Sequence, residues 1–456
     1  MKNSLFDKIY IIVCLAVLLV PFAGMLVFGE AAPAANEVLA SRPSLKSSDG
    51  SFNTGVLSDA QDYIADRFFL RQESASVWAA INAGLLRTSV EDGVVLGSKG
   101  WLYYGETVDD YMGLGLADAQ LTAAARNLAL MQEYVLSLGG RFVFTIAPNK
   151  NSLYPEYMPG RVPAGRGANR ERLPALLELA GVNYVDLYSP FLSCGEALYY
   201  ETDSHWTNRG AALAADTLLR SLDMASDWFS AEFAPAGGHR GDLYEMLYPT
   251  GTRTEEETAP VFSHVTSADP NGGDAINIRT SSDAPGGALL CFRDSFGRAL
   301  YPYLADGFAE ALFSRQSAYD LTRMDELGAD TVIIELVERN IHRLITEVPV
   351  FPAPVREPRD TQKAEGGVTL YSQPGATAGT ASLCRWYGEL DADMGAPVYL
   401  LCAGRWYECC LLDGDGGRIG FSAWLPSDAG TPEYISAYLN GEAVLYACTY
   451  IEQRQS

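Results

Sequence analysis

Positive charge is what this chain has least of: Lys and Arg total 33 against 57 Asp and Glu, a net charge of −24 over 456 residues. A surface of that sign repels phosphate backbones and forgoes the counterion release that drives nucleic-acid binding, so nucleic acid is not an expected partner. Histidine is scarce as well, with four in the chain, and each one asks for a reason. The eight cysteines include no C-x-x-C pair, which argues against a structural zinc site. There is no internal repeat and no Gly-rich nucleotide-binding loop, and no cofactor or metal is expected. Cys14, Cys194 and Cys291 are scattered; Cys384, Cys402, Cys409, Cys410 and Cys448 crowd the last quarter, where disulfides are expected with one thiol left over.

What the chain does have begins with an uncharged apolar run from Ile9 to Gly29 behind Lys2 and Lys8. A cleaved leader carries about 7 to 15 apolar residues, so residues 1–30 read as an uncleaved membrane anchor with its basic end in the cytoplasm and the bulk of the protein outside. Cleavage in the stretch AAPAA is the alternative. Residues 31–90 read as a polar tether and a helical segment from Asp59 to Leu86, and 93-GVVLGSKGWLYYG-105 as two short strands joined by a Gly turn.

From there strands and helices alternate. Helices are expected at 121–138, 170–180, 208–221, 297–304 and 318–327, and strands at 142–146, 183–188, 288–292, 310–314 and 331–336. That order predicts an α/β domain over residues 91–350, a parallel sheet with helices on both faces that binds ligands at the carboxyl ends of its strands. Residues 223–287, rich in Gly, Pro, Asp and Thr, form a long insertion that is either a lid or disordered. Residues 351–364 read as a linker, and 365–456 as a small β-rich module. Its Trp386, Tyr387, Trp406, Tyr407 and Trp424 either stack on sugars or fill a core, the second being the commoner use.

The chemistry concentrates in two segments, 199-YYETDSHWTNRGA-211 and 288-ALLCFRDSFGR-298. Ser295 sits in a polar turn between a strand and a helix. A serine hydroxyl becomes a nucleophile when an imidazole takes its proton and a carboxylate steadies the imidazolium, and Asp203 with His205 supplies that pair. Residues two apart in an extended loop project to the same side. The backbone N–H groups of Phe296 and Gly297 are the expected oxyanion donors, with Gly297 admitting a close substrate. Blander uses exist. Ser295 or Asp294 can merely cap the helix. Asp203 and His205 can be a metal pair, though His239, His264 and His342 lie in unrelated contexts and offer no obvious third ligand. They can also be a structural pair beneath Trp206.

The combination of 202-TDSHWTNRGA-211 and 292-FRDSFGR-298 with 147-APNKNSLYP-155, 98-SKGWLYYG-105 and 62-DYIADRFFLRQ-72 resembles the AlgX/AlgJ-like, or DHHW, group of SGNH-hydrolase-fold proteins over roughly residues 35 to 345. The resemblance implies extracytoplasmic O-acetyl transfer to a surface polysaccharide through an acyl-serine intermediate, with Asp203, His205 and Ser295 as the triad. This order is the reverse of ordinary SGNH hydrolases, as in a circular permutation. It also implies a multispanning membrane-bound O-acyltransferase partner that supplies the acyl group. The alternatives are an acetylesterase of the same fold or a non-catalytic glycan-binding protein. Two departures stand out. Ser204 replaces a histidine of the family name, on a side chain expected to alternate away from Asp203 and His205. The second oxyanion donor has no clean match and falls to Asn149, Arg339 or Asn340. Trp206, Lys150 and Arg298 are the expected substrate contacts.

Overall fold

Helical from Leu5 to Phe28, the apolar run exposes its side chains on every side, with Gly24 its one buried residue, as suits a helix solvated by lipid rather than water. The computed structural model describes residues 5–30, 39–47, 50–261, 266–267, 272–284, 286–316, 318–357 and 362–451. The AAPAA stretch, His264, residues 268–271 of the insertion and 358–361 of the expected linker lie outside them.

The expected helix over 59–86 is two helices, Val56–Ala65 and Arg71–Ile81, the second running on into a single wide turn, Asn82–Leu86. The break has a visible cause. Leu70 adopts a left-handed φ of 62°, and Phe69 turns back onto the apolar helix, donating its N–H to Pro21 O at 3.1 Å and stacking its ring on Phe28 at 5.0 Å. A Cβ on Gly24 would sit 2.3 Å from the Phe69 ring, so a hydrogen there makes the seat.

A hairpin of β1 (Val94–Leu96) and β2 (Leu102–Tyr104) leads into the α/β domain. Its strands are β3 (Arg141–Ala147), β4 (Tyr184–Val185), β5 (Phe233–His239), β6 (Glu255–Pro260), β7 (Thr266–Ser267), β8 (Asn277–Ser281), β9 (Ala288–Phe292), β10 (Glu310–Ser314) and β11 (Thr331–Val337). Among the described residues, seven of them form one sheet in the order β4-β3-β11-β9-β10-β8-β7. It is parallel from β4 to β10, with β8 and β7 added antiparallel at one edge. β11 is buried along its whole length, which is why it reads as an apolar run broken within it by Glu335 alone. The helix Asp118–Ser137 packs on Asn169–Leu179, and Asn208–Ser221 on Gly297–Ala305, to cover the sheet.

Two elements are shorter than their sequence pattern suggests. The strand expected to reach residue 188 stops at Val185, because Asp186 turns to accept the N–H groups of Tyr188 and Ser189 and starts a new helix. The helix expected from 318 is confined to Arg323–Leu327: Asp320 caps it through Thr322, and Gly328 ends it at φ 64°. The insertion is ordered secondary structure over much of its described length, and Asp242, Met246 and Pro249 of it line the cleft described below. It contributes the antiparallel pair β5–β6, the helix Asp242–Leu247 and the edge strands β7 and β8.

The expected linker is packed rather than loose over its described start. Phe351 is buried, Ala353 N donates to Trp424 O at 2.8 Å, and Val355–Arg356 forms β12. It opens a curled C-terminal sheet with β13 (Gln362–Ala378), β14 (Ala381–Leu390), β15 (Tyr399–Cys402), β16 (Arg405–Glu408), β17 (Cys410–Asp413), β18 (Ile419–Pro426), β19 (Tyr434–Leu439) and β20 (Glu442–Ile451). The order is β12-β16-β15-β19-β20-β13-β14-β18-β17, with β13 and β20 alone parallel. Trp386, Tyr407 and Trp424 are buried in this module's core, which leaves them nothing to stack on a sugar. All eight cysteines are free thiols, so the expected disulfides do not form.

Candidate active site

The carboxyl ends of β9, β10 and β11 open into a cleft of about 960 Å³ whose lining includes His205, Ser204, Asp242 and Ser295 together with Arg315, Arg339 and Arg343. Asp203 is almost wholly buried behind His205. Its Oδ1 accepts the ring Nδ1–H of His205 at 2.7 Å and the backbone N–H of the same residue at 2.8 Å. This is an Asx turn: the carboxylate bonds its own loop two residues on, which brings ring and acid together without an extended strand. With Nδ1 so engaged, Nε2 is the nitrogen left to take a proton. It is buried and has no hydrogen-bond partner. The His205 ring lies 4.8 Å from that of Phe296, the residue after Ser295.

Two residues not foreseen from sequence complete the arrangement. His239, at the end of β5, donates Nε2–H to the second Asp203 oxygen at 2.7 Å and stacks on Tyr200 at 4.0 Å. It is therefore part of the site, contrary to its apparent unrelated context. Asp242 holds Ser204 through both its N–H (2.7 Å) and its hydroxyl (2.5 Å), and its Oδ2 stands 3.5 Å from His205 Nδ1. Ser204 thus faces His205, its Oγ 3.2 Å from Nδ1, rather than alternating away. Residues 201–205 form a series of bends, so the period of a strand does not apply.

Burial alone would raise the Asp203 carboxyl, yet the hydrogen bonds from His205 and His239 hold it well below the usual carboxylate range. Asp242 is pushed up, first by burial and then by the Asp203 charge. His239 is raised: burial works against its charge, but the bond to Asp203 prevails. Asp203, His205 and Asp242 each present a ligand atom within 4.8 Å of the others, a spacing a divalent ion could use. Asp203 does not fit that use well. Both of its oxygens already accept N–H groups, Oδ2 taking the backbone of Asp242 at 3.0 Å besides His239.

The turn at Ser295 is built by Asp294. Its Oδ1 accepts Phe296 N–H at 2.9 Å, and its Oδ2 accepts Val337 N–H at 2.8 Å and Asn340 Nδ2 at 3.1 Å. Phe296 N–H is therefore committed and is withdrawn as an oxyanion donor. Gly297 is required by Arg293, whose Cβ and Cδ lie 2.5 Å from where its own Cβ would be; the close approach it permits is internal. Arg339 lies over the Tyr104 and Phe296 rings at 5.2 and 5.6 Å, within the cleft, and Asn340 also lines it. Asn149 is buried, its N–H bonded to Glu338 at 2.8 Å and its side-chain oxygen unpartnered.

The three expected substrate contacts are placed elsewhere. Trp206 is 1 % exposed and donates Nε1–H to Phe296 O at 3.1 Å, pinning the histidine loop to the serine turn from below. Lys150 is buried and donates to the carbonyls of Tyr200, Glu201 and Asp203 at 3.1, 3.0 and 2.5 Å, beneath the rings of Trp101 and Tyr103. Burial lowers its ammonium to about 8 despite the nearby carboxylates. The segments 98–105 and 147–155 thus act together as a cradle that shapes the Asp203 loop. Arg298 is exposed and paired with Asp274 at 3.2 Å, outside the cleft lining.

These features define an SGNH-like α/β domain with an anchor-like apolar helix before it and a β-rich module after it. Residues 94–280 match the family described as SGNH hydrolase-like domain, acetyltransferase AlgX; Ser295 lies beyond the matched stretch. Among characterised sequences, the chain is 29% identical over 200 residues to the probable alginate O-acetylase AlgJ of Pseudomonas syringae pv. tomato, covering 41% of this chain and 49% of that protein. It is 24% identical over 267 residues to the AlgJ of Azotobacter vinelandii, covering 53% and 68%. The chain thus spans about half the length of the first of these relatives. Similar solved structures include PatB1 of Bacillus cereus with a sulfonyl adduct (14% identity, TM-score 0.45, 56% of this chain and 96% of that one). The O-acetyltransferase domain of Pseudomonas putida AlgJ is another (19%, 0.38, 55% and 92%). The resemblance to the AlgX/AlgJ-like group read from the sequence is borne out.

Proposed function

We propose that this chain is a membrane-anchored, extracytoplasmic O-acetyltransferase that acts on an exported polysaccharide through an acyl-Ser295 intermediate. The observation that carries the reading is His205. Its Nδ1 is fixed on Asp203, and its buried Nε2 is left without a partner beside a cleft that Ser295 also lines. The family description supports acetyl transfer, and the relatives named as probable alginate O-acetylases support a polysaccharide as the acceptor.

In this mechanism Ser295 Oγ attacks the acyl carbonyl of the donor and its proton passes to His205 Nε2. Asp203 stabilises the imidazolium and fixes the ring. The backbone N–H of Gly297 with the side chain of Arg339 or Asn340 would take the developing oxyanion. Collapse expels the donor's leaving group, which collects the proton from His205. An acceptor hydroxyl then loses its proton to Nε2 and attacks the acyl-serine carbonyl; collapse releases the acetyl ester, and His205 returns that proton to Ser295 Oγ. Arg315 and Arg343, which also line the cleft, offer donors to the sugar's oxygens. Transfer rather than hydrolysis is favoured by the apolar helix. A catalyst fed from a membrane-bound O-acyltransferase needs to stay at the bilayer, and the seat of Phe69 on Gly24 supports a retained helix.

The test supplies an activated acetyl ester with oligosaccharide acceptors and follows products and Ser295 peptides by mass. An acetylated Ser295 peptide and acetylated acceptor are expected. Ser295→Ala, His205→Ala and Asp203→Asn should each lower turnover by roughly a thousand-fold or more, without adding when combined. Undiminished turnover in Ser295→Ala would overturn the mechanism. Acetate release without acceptor gain would replace transfer by esterase action.

A further inference from the structure

The second membrane-proximal helix divides its surface sharply. Ala79 is buried against Val94, Leu102, Leu243 and Leu247 of the catalytic body. On the opposite side Val77, Trp78, Ile81 and Leu85 are 60%, 58%, 45% and 79% exposed. Their spacing, i, i+1, i+4 and i+8, puts them on one stripe. A contiguous apolar stripe this exposed marks an interaction surface.

We propose that this stripe rests on the outer surface of the lipid bilayer, with Trp78 at the headgroup level, so that the cleft is held at the membrane face. The inference rests on the reading of Leu5–Phe28 as a retained anchor. Depth is the argument for lipid as the occupant. Phe69 bonds to Pro21 and packs on Gly24, inside the apolar run rather than beyond its end at Phe28. Arg71 N bonds back to Phe68 O at 3.2 Å, so the chain turns tightly into the next helix and gains little height before it starts. Gly24 lies about 6 Å below Phe28 along the helix axis, and Trp78 lies about 10 Å along its helix from Arg71 at 1.5 Å per residue, with the two non-helical steps from Phe69 adding at most about 7 Å. Whichever way the helix points, Trp78 then falls no more than about 11 Å past the apolar run, at or just beyond the headgroup layer. Tryptophan is the residue that favours that layer. The net charge of −24 and the exposed Glu73 make burial of apolar surface, not attraction to anionic lipid, the source of the contact.

The consequence for function is direct, because Arg71, Gln72 and Ala75 of the same helix line the cleft. One helix would face lipid on one side and substrate on the other. An acyl donor delivered at the membrane would need no long path to Ser295.

The experiment uses the full chain in nanodiscs of phosphatidylcholine with and without brominated acyl chains, and reads tryptophan emission. The anchor has no tryptophan, Trp101, Trp206, Trp228, Trp386 and Trp424 are buried, and the half-buried Trp406 sits in the C-terminal sheet, so Trp406→Phe serves as the background for every variant. The background should lose emission in brominated discs, and Trp78→Phe should abolish at least half of that loss. The double variant Val77→Glu, Ile81→Glu, with Trp78 intact, should reduce it likewise by lifting the stripe from the lipid. Equal losses in the background and Trp78→Phe would overturn the proposal. So would no loss in a chain that stays in the disc through an alkaline wash, the result expected if a protein partner covers the stripe. A chain that leaves the disc in that wash overturns the anchor reading together with this one.

Discussion

At the carboxyl edge of the central sheet, His205 Nε2, Asn149 Oδ1 and Glu335 Oε1 are all buried without a hydrogen-bond partner. At the seam between that domain and the C-terminal module, the buried carboxylate and amide are instead matched, Arg126 Nε being the one buried atom of the joint's described residues left over. Both Glu408 oxygens accept from arginine, one from Arg126 and the other from Arg356 at 2.5 Å. The Asn127 side chain donates to Leu344 O and Leu411 O at 2.8 and 2.7 Å and accepts Leu411 N–H at 2.9 Å. Since an unmatched buried polar group costs about 1–3 kcal/mol, it persists where something other than stability calls for it. The first region keeps donors and acceptors open around a cleft. The second spends them on a joint.

The joint should yield the largest loss of stability. β17 is the edge strand of its sheet, and the Asn127 amide pairs with Leu411 as a neighbouring strand would. Asn127→Ala leaves the Leu411 N–H and C=O buried and unpaired, for an expected loss of about 3 kcal/mol in urea unfolding. Turnover per folded molecule should stay at the wild-type value. If turnover falls as far as stability does, the module belongs to the site and the contrast between the two regions dissolves.

A smaller effect is expected inside the first region. His239 is a positioning residue that acts through Asp203, and removing it frees one oxygen of the carboxylate that orients His205. His239→Ala should lower kcat roughly ten-fold, about 1.4 kcal/mol, with KM little changed. His239→Gln, which can still donate, should recover most of it. Because its folded pKa is raised, the His239 contribution to stability is full below the ordinary histidine pKa and is lost as pH rises through the folded value. An unchanged kcat in His239→Ala would make the residue a surface group and confine the site to the original three.

The sequence makes some of this contrast legible and hides the rest for physical reasons. Asp203 and His205 are visible because an Asx turn is local and its spacing is in the chain. The alternating strands and helices are visible because the helices bury one face while the central strands are continuous buried runs. His239 and Asp242 are not visible: the β5–β6 pair carries them to the site from within a Gly- and Pro-rich stretch with no period to read. The one available hint is that a histidine and an acid stand three residues apart there in a chain with so few histidines. Lys150 and Trp206 mislead for the opposite reason. A cation or a ring beside a catalytic motif looks like a substrate contact, whereas both are buried under the loops they support.

The finest probe of the comparison is Glu338, which lies beneath the cleft yet is bonded like a joint. Its carboxylate accepts Asn149 N–H at 2.8 Å and the Ser152 hydroxyl at 2.7 Å, tying the end of β3 to the end of β11, with Arg170 at 3.9 Å. Burial raises its pKa to about 7, with the charge of Asp110 adding to the rise and those hydrogen bonds and Arg170 only partly offsetting it. A folded pKa above the unfolded one means that the native state holds the extra proton between about pH 4.5 and 7, so Glu338 lowers stability as pH rises through that window. The slope is at most about 1.4 kcal/mol per pH unit, the value of one proton. Glu338→Gln keeps an acceptor for Asn149 and a donor for Ser152 while removing the titration. Unfolding by urea at steps from pH 5 to pH 7.5 should therefore show a shallower fall for the variant than for wild type. Asp242 and Glu335, also raised, and Asp203, lowered, remain in both proteins and cancel in the difference. Parallel curves would show that Glu338 is ionised throughout, matched like the seam rather than strained like the cleft, and would move the boundary between the two regions up to the floor of the active site.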